Sequence, residues 1–205
     1  MPTPAFPYHK KGSKSTKKQN SMKKTIFLVM CVAMLGLPSC AQKKNAAPEK
    51  KETVAAQPAA NAGYTVKTLP TAITSNILQA IEKEYAGSVT LIDVWATWCP
   101  PCRRAMTVID SIKPGYIEKG VKFVYITGET SPEKNWNDMI PNIHGDHYRL
   151  TNAQWETLMR EQGIPGIPVY KVINKDGSTA FSNFTMGGYP GNEVIKPILD
   201  EALKK

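Results

Sequence analysis

Asp93-Val-Trp-Ala-Thr-Trp-Cys-Pro-Pro-Cys-Arg-Arg104 places a C-x-x-C pair, Cys99 and Cys102, directly behind an apolar run. With Val89-Thr-Leu-Ile92 in front of it, residues 89–95 are almost continuously apolar, as a strand buried on both faces requires. Residues 100–113 then read as a helix that opens with prolines and stops near the breakers Pro114-Gly115. The cysteines therefore fall at a strand-to-helix junction. Residues three apart lie on one helix face, so the two sulfurs are expected to bridge when oxidised. Cys99, at the helix start, meets unpaired backbone N–H groups and the positive end of the helix dipole, which favour thiolate and make it the expected attacking sulfur. Cys102, one turn in, is expected to resolve a mixed disulfide by attacking Cys99. Asp93, buried beneath the pair, is expected to have a raised pKa and to take the proton from Cys102. Arg103 and Arg104 either add positive charge beside the thiolate or are plain solvated arginines.

Outward from this stretch, helix-like and strand-like periods alternate, which predicts an α/β domain over residues 63–205. Ile73, Ile77, Leu78 and Ile81 form a helical stripe, and residues 121–127 (VKFVYIT) read as a second central strand. Residues 152–162 read as a helix, 169–173 as a strand, 174–177 (NKDG) as a hairpin turn and 178–186 as the returning strand. Residues 191–204 close the chain as an amphipathic helix. Trp136, Met139, Trp155 and Met159 are read as core side chains. Residues 128–150, with Pro132, Pro141 and two histidines, read as an insertion of unassigned role. No internal repeat is visible.

D-x-W-A-x-W-C-x-x-C-R resembles the active site of thioredoxins, and more closely that of the TlpA-like and ResA-like membrane-tethered thioredoxins. The likeness spans about residues 63–205 and implies a thioredoxin-like fold, a central mixed sheet flanked by helices. Gly166-Ile-Pro-Val-Tyr-Lys-Val-Ile-Asn-Lys-Asp-Gly177 is similar to the segment in which that family carries a cis-proline before a strand, so Ile167–Pro168 is the expected cis bond. Pro165 competes, but Pro168 abuts the strand. The resemblance further implies that the Ile167 backbone pairs with an incoming substrate segment, and that Trp98, Pro100, Pro101, Ile167 and Pro168 form the substrate-binding surface. No cofactor is expected beyond the redox-active cysteine pair, and no metal. The implied substrates are exported proteins with cysteines, apocytochrome c among some relatives, with a membrane thiol donor or acceptor as redox partner. Val169 stands where the family often has Thr, and Asp93 where many tethered members have Asn.

The formal charge of +9 is concentrated at the N-terminal end: residues 1–39 hold seven lysines and no acids, leaving 19 basic against all 17 acidic side chains from residue 40 onward. That near balance excludes nucleic-acid binding, which needs clustered unbalanced Lys and Arg. Residues 22–40 (MKKTIFLVMCVAMLGLPSC) have the layout of a secretion signal, with Met22 a possible true start. The apolar run, about 12 residues, is shorter than the roughly 20 needed to span a bilayer. Leu37-Pro-Ser-Cys40 resembles a bacterial lipobox, so Cys40 is the expected lipidation site, with an ordinary cleaved signal as the alternative. Residues 40–62, rich in Ala, Lys, Glu, Gln and Pro, read as a flexible tether. The expected location is the periplasm, lipid-anchored to the cell membrane or outer membrane.

Three rival readings stand against redox chemistry. C-x-x-C with His144-x-x-His147 is one conceivable zinc site, though two histidines on a loop usually form only polar surface. A partner-binding module that keeps the fold without activity is disfavoured by two intact cysteines. Peroxide reduction of the peroxiredoxin type lacks its P-x-x-x-T-x-x-C arrangement. Within the redox class, a reductase is favoured and an oxidase or isomerase is the alternative.

Overall fold

A computed structural model of the chain describes residues 63–205. The expected signal region, the Cys40 anchor and the 40–62 tether lie outside the described residues. Six strands form one mixed sheet: β1 (Tyr64–Lys67), β2 (Thr90–Val94), β3 (Lys122–Gly128), β4 (Gly145–Leu150), β5 (Val169–Ile173) and β6 (Thr179–Ser182), in the order β1-β4-β3-β2-β5-β6. β1, β4, β3 and β2 run parallel, while β5 and β6 are antiparallel to their neighbours. The helices are α1 (Ile77–Glu82), α2 (Pro100–Ile109), α3 (Lys113–Glu118), α4 (Glu133–Met139), α5 (Asn152–Glu161) and α6 (Asn192–Lys204).

β2 is buried at every position, as its nearly continuous apolar run requires. Its side chains alternate between two cores. Leu91 and Trp95 join Phe123, Tyr125, Tyr170 and Val172 on one face, packed with α2, α6 and Trp136 of α4. Ile92 and Val94 join Val124, Ile126, Tyr148 and Val169 on the other, packed with α1 and α5. Both cysteines belong to the first core.

Several boundaries differ from the sequence reading. The helix expected over 100–113 ends at Ile109, and a second helix begins at Lys113 with Pro114 in its first turn. A proline at a helix start satisfies the same sequence signal as one past a helix end, because its missing N–H is harmless there. The returning strand is only Thr179–Ser182, since Asn183 to Gly188 fold back as a turn. Residues 128–150 are not an appendage: they form α4 and β4, and β4 lies between β1 and β3 inside the sheet. His147, expected on a polar loop, is a fully buried β4 residue.

Candidate active site

The chain leaves β2 through a hydrogen-bonded turn. The Trp95 N–H donates to the Ile126 carbonyl at 2.9 Å, which prolongs the pairing with β3, and the Cys99 N–H donates to the Ala96 carbonyl at 3.1 Å. Thr97 N–H donates to the Ser131 hydroxyl at 3.0 Å. Cys99 then caps α2: it holds extended backbone angles and its sulfur accepts the Cys102 N–H at 3.2 Å. Pro100 and Pro101 occupy the first helical positions, where no N–H is needed.

The sulfurs of Cys99 and Cys102 are bonded, with their Cα atoms 5.3 Å apart. Cys99 keeps 3% of its surface exposed and Cys102 none, so Cys99 is the sulfur nearer solvent. Around it Trp98 is 55% exposed, and Pro100 and Pro101 are exposed as well. Arg103 and Arg104 are both exposed.

Facing the pair, the Ile167–Pro168 bond is cis, and the Ile167 carbonyl oxygen lies 3.8 Å from Cys99 Sγ. This loop is supported from behind. The Gly188 N–H donates to the Pro168 carbonyl at 2.8 Å, and the buried Asn183 amide accepts the Tyr170 N–H at 2.7 Å while donating to the Gly188 carbonyl. Ile167 is half-buried and Pro168 buried.

Asp93 is 1% exposed, and neither carboxylate oxygen has a hydrogen bond. It belongs to a register row that crosses four strands on the cysteine-bearing face: His147 opposite Tyr125, Tyr125 opposite Asp93, and Asp93 opposite Tyr170. Burial pushes the Asp93 carboxyl well above the usual carboxylate range, and the positive charge of Lys113 pulls it part of the way back. Lys113, itself buried, is held by Asp110 at 2.6 Å and donates to the Tyr125 hydroxyl at 3.1 Å. Burial, reinforced by the nearby Asp93, pushes the Tyr125 and Tyr170 phenols upward, so both stay neutral.

His147 is engaged elsewhere. Its Nε2 lies 2.7 Å from the Ile143 carbonyl, which places the ring proton on Nε2, and its ring stacks on Tyr125 at 5.0 Å. Burial lowers its pKa to about 4. Among the described residues no cluster of three or more His, Cys, Asp and Glu side chains is placed to hold a metal ion, nor is any helix long and apolar enough to cross a membrane.

Tyr125, Tyr170, Lys113 and Ser131 were not singled out from sequence. Period-two alternation puts 93, 125 and 170 on equivalent faces only once strand register is known. In the sequence Lys113 is only the last residue of the helix expected over 100–113.

A thioredoxin-like family model matches residues 87–179. A thiol-disulfide oxidoreductase ResA from Bacillus thuringiensis (strain Al Hakam) is 25% identical over 95 residues, 46% of this chain and 54% of that protein. Another ResA, from Bacillus thuringiensis subsp. konkukian, is 32% identical over 123 residues, 60% of this chain and 66% of its own length. The chain thus spans about half to two thirds of these relatives. Among solved structures, the thioredoxin domain of a thiol-disulfide oxidoreductase from Bacteroides vulgatus shares the fold, with a TM-score of 0.51 over 58% of this chain and 83% of that one at 15% identity. Taken with the sheet order, the bridged pair at the head of α2 and the cis bond facing it, these likenesses show that the chain belongs to the thioredoxin superfamily.

Proposed function

We propose that this chain is a thiol-disulfide oxidoreductase that acts outside the cytoplasm and reduces disulfides of exported proteins through Cys99 and Cys102. The observation that carries the reading is the bridged pair at the head of α2, with the Ile167 carbonyl 3.8 Å from Cys99 Sγ on one side and an unpartnered buried carboxyl on the same face of the sheet.

In the reduced protein, Cys99 thiolate attacks one sulfur of a substrate disulfide. A mixed disulfide with Cys99 forms, and the other substrate sulfur leaves as thiolate. Cys102 then gives its proton to the Asp93 carboxylate and attacks the Cys99 sulfur. The Cys99–Cys102 bond closes, and the second substrate sulfur leaves as thiolate. Two electrons pass from the cysteine pair to the substrate, and both protons finally reside on the product thiols or in solvent. The raised proton affinity of Asp93 suits it to this transfer. No cofactor is needed, because the pair itself carries the electrons. Trp98, Pro100 and Pro101 supply an apolar surface beside the reacting sulfur, while the Ile167 backbone supplies strand-like pairing to the substrate segment.

The same reading places the protein in the periplasm, anchored by lipid on Cys40 and recharged by a membrane thiol donor. The signal-like residues 22–40 support it. The deciding experiment is the reduction potential of the full chain in detergent, equilibrated in glutathione or dithiothreitol buffers and read by alkylation mass shift. A two-electron couple at or below about −250 mV supports a reductase, and one near about −120 to −180 mV makes the protein a disulfide donor or isomerase. The absence of a Cys99–Cys102 couple overturns the oxidoreductase reading.

A further inference from the structure

The turn that carries the cysteines is fastened to a part of the chain that lies outside the C-x-x-C and cis-proline motifs. A backbone N–H turned inward needs an acceptor, and the Thr97 N–H finds one 34 residues away, in the Ser131 hydroxyl at 3.0 Å. Ser131 is completely buried and Thr97 only 5% exposed, so water offers no substitute. The Ser131 hydroxyl is also 2.7 Å from the hydroxyl of Thr127 on β3, which fixes its orientation. The resulting line, Thr127 to Ser131 to Thr97, ends two residues before Cys99.

The anchor itself is held firmly. Ser131 N–H donates to the Gly128 carbonyl at 2.9 Å, and the Ser131 carbonyl accepts Arg149 Nε of β4 at 3.1 Å. Next to it, Glu129 N–H donates to the Leu150 carbonyl at 3.0 Å, and the Glu129 carboxylate accepts the N–H of Asn152, the first residue of α5, at 3.0 Å. β4 and α5 thus grip residues 129–131, and residue 131 grips the active-site turn. A short hydrogen-bond line between rigid elements transmits position because each member has one satisfactory geometry.

We infer that Ser131 is a positioning residue for the cysteine pair, its hydroxyl holding the Thr97 N–H and with it the turn that sets Cys99 at the head of α2. This rests on the oxidoreductase reading above. It gives the turn between β3 and α4 a function: its buried side chain orients the nucleophile. Cys99 gains thiolate character from its place at the helix start, so loosening the turn reduces that character as well as the rate.

The test uses the full chain in detergent, reduced, with Ser131→Ala, Ser131→Thr, Thr127→Val and, as a stability control on the opposite core, Ile81→Val. Three quantities are measured: the pH midpoint of Cys99 alkylation by iodoacetamide, the rate of insulin disulfide reduction, and Tm. Ser131→Ala is expected to move the midpoint upward and to lower the reduction rate about tenfold, as small misplacements of a reacting group do. Thr127→Val, which leaves the acceptor and removes only its neighbour's hydroxyl, gives a smaller shift in the same direction. Ser131→Thr keeps the hydroxyl and restores the wild-type midpoint. Ile81→Val lowers Tm and leaves the midpoint in place. A Ser131→Ala midpoint equal to wild type, or an Ile81→Val shift as large, overturns the inference. Absence of a Cys99–Cys102 couple in the wild type overturns the oxidoreductase reading and this inference with it, whereas a normal couple that Ser131→Ala leaves unmoved overturns this inference alone.

Discussion

Asp93 stands directly across the sheet from Tyr170, yet neither its carboxylate oxygens nor the Tyr170 hydroxyl makes a hydrogen bond. A buried carboxylate with no hydrogen bond costs folding free energy whenever it is ionised. Its pKa is raised in the folded state, so the native protein holds this proton more tightly than the unfolded chain does. The favourable contribution is therefore complete below the unfolded carboxylate pKa and is lost as pH rises through the folded pKa. Asp93→Asn, which removes this titration, is expected to raise stability at pH 7.5. Urea unfolding between pH 3.5 and 8 checks this: the advantage must shrink towards the acid end. The same variant lacks the acceptor for the Cys102 proton, so single-turnover assays should show the mixed disulfide persisting longer than in wild type.

The order of the two sulfurs is separately testable. Cys99 is the more exposed and lies beside the Ile167 carbonyl, whereas Cys102 is wholly buried one turn into α2. Cys102→Ser should therefore accumulate a mixed disulfide with a protein substrate, visible as a mass shift on non-reducing gels and reversed by dithiothreitol. Cys99→Ser should form no such adduct and lose turnover. The opposite pattern would assign the attack to Cys102.

How far the sequence discloses this site depends on the range of the interactions. The strand-to-helix junction, both cysteines and the buried Asp93 are visible in one contiguous stretch, because an apolar run, two prolines and a three-residue spacing each have a local physical meaning. The cis bond at Ile167–Pro168 is expected only from the family resemblance, and the strand that starts at Val169 selects Pro168 over Pro165. The partners of Asp93 come from β3, β5 and α3, and only strand register brings Tyr125 and Tyr170 beside it. Lys113 was hidden because Pro114 signals a helix start and a helix end equally well. The α4–β4 segment lacked a strong period: Gly145-Asp-His-Tyr-Arg-Leu150 is half polar, yet its sheet position buries His147, Tyr148 and Leu150.

His147 gives the acid limb of stability. Its pKa falls to about 4 when folded, from an ordinary value near 6.5, so the unfolded chain binds its proton more readily. The stability it allows is complete above the unfolded pKa and is lost as pH drops from about 6.5 towards 4, up to about 3 kcal/mol for a shift of that size. His147→Phe keeps a ring to stack on Tyr125 and removes the titration. Its urea midpoint should fall less steeply than wild type between pH 6.5 and 4. Asp93 acts with the opposite sign, so the double variant with Asp93→Asn is expected to be flatter at both ends.

Gly128, the last residue of β3, pairs with Leu150 of β4, and a Cβ at this position would sit 2.6 Å from Cγ of Trp155 and 2.8 Å from its Cδ2. Trp155 is a buried α5 side chain, so it has little freedom to withdraw. In an ordinary strand, alanine is preferred to glycine by about 0.5–1 kcal/mol. Here overpacking against a fixed indole opposes that gain at a cost of about 1–3 kcal/mol. Gly128→Ala is therefore expected to destabilise by about 1–2 kcal/mol, seen as a lower urea midpoint with an unchanged slope. The attribution is checked by a double-mutant cycle with Trp155→Ala, which removes Cγ and the ring beyond it. A coupling energy above about 0.5 kcal/mol, with Gly128→Ala less costly in the Trp155→Ala background, places the strain between these two residues. Additive effects would show that Gly128 is needed for its backbone alone.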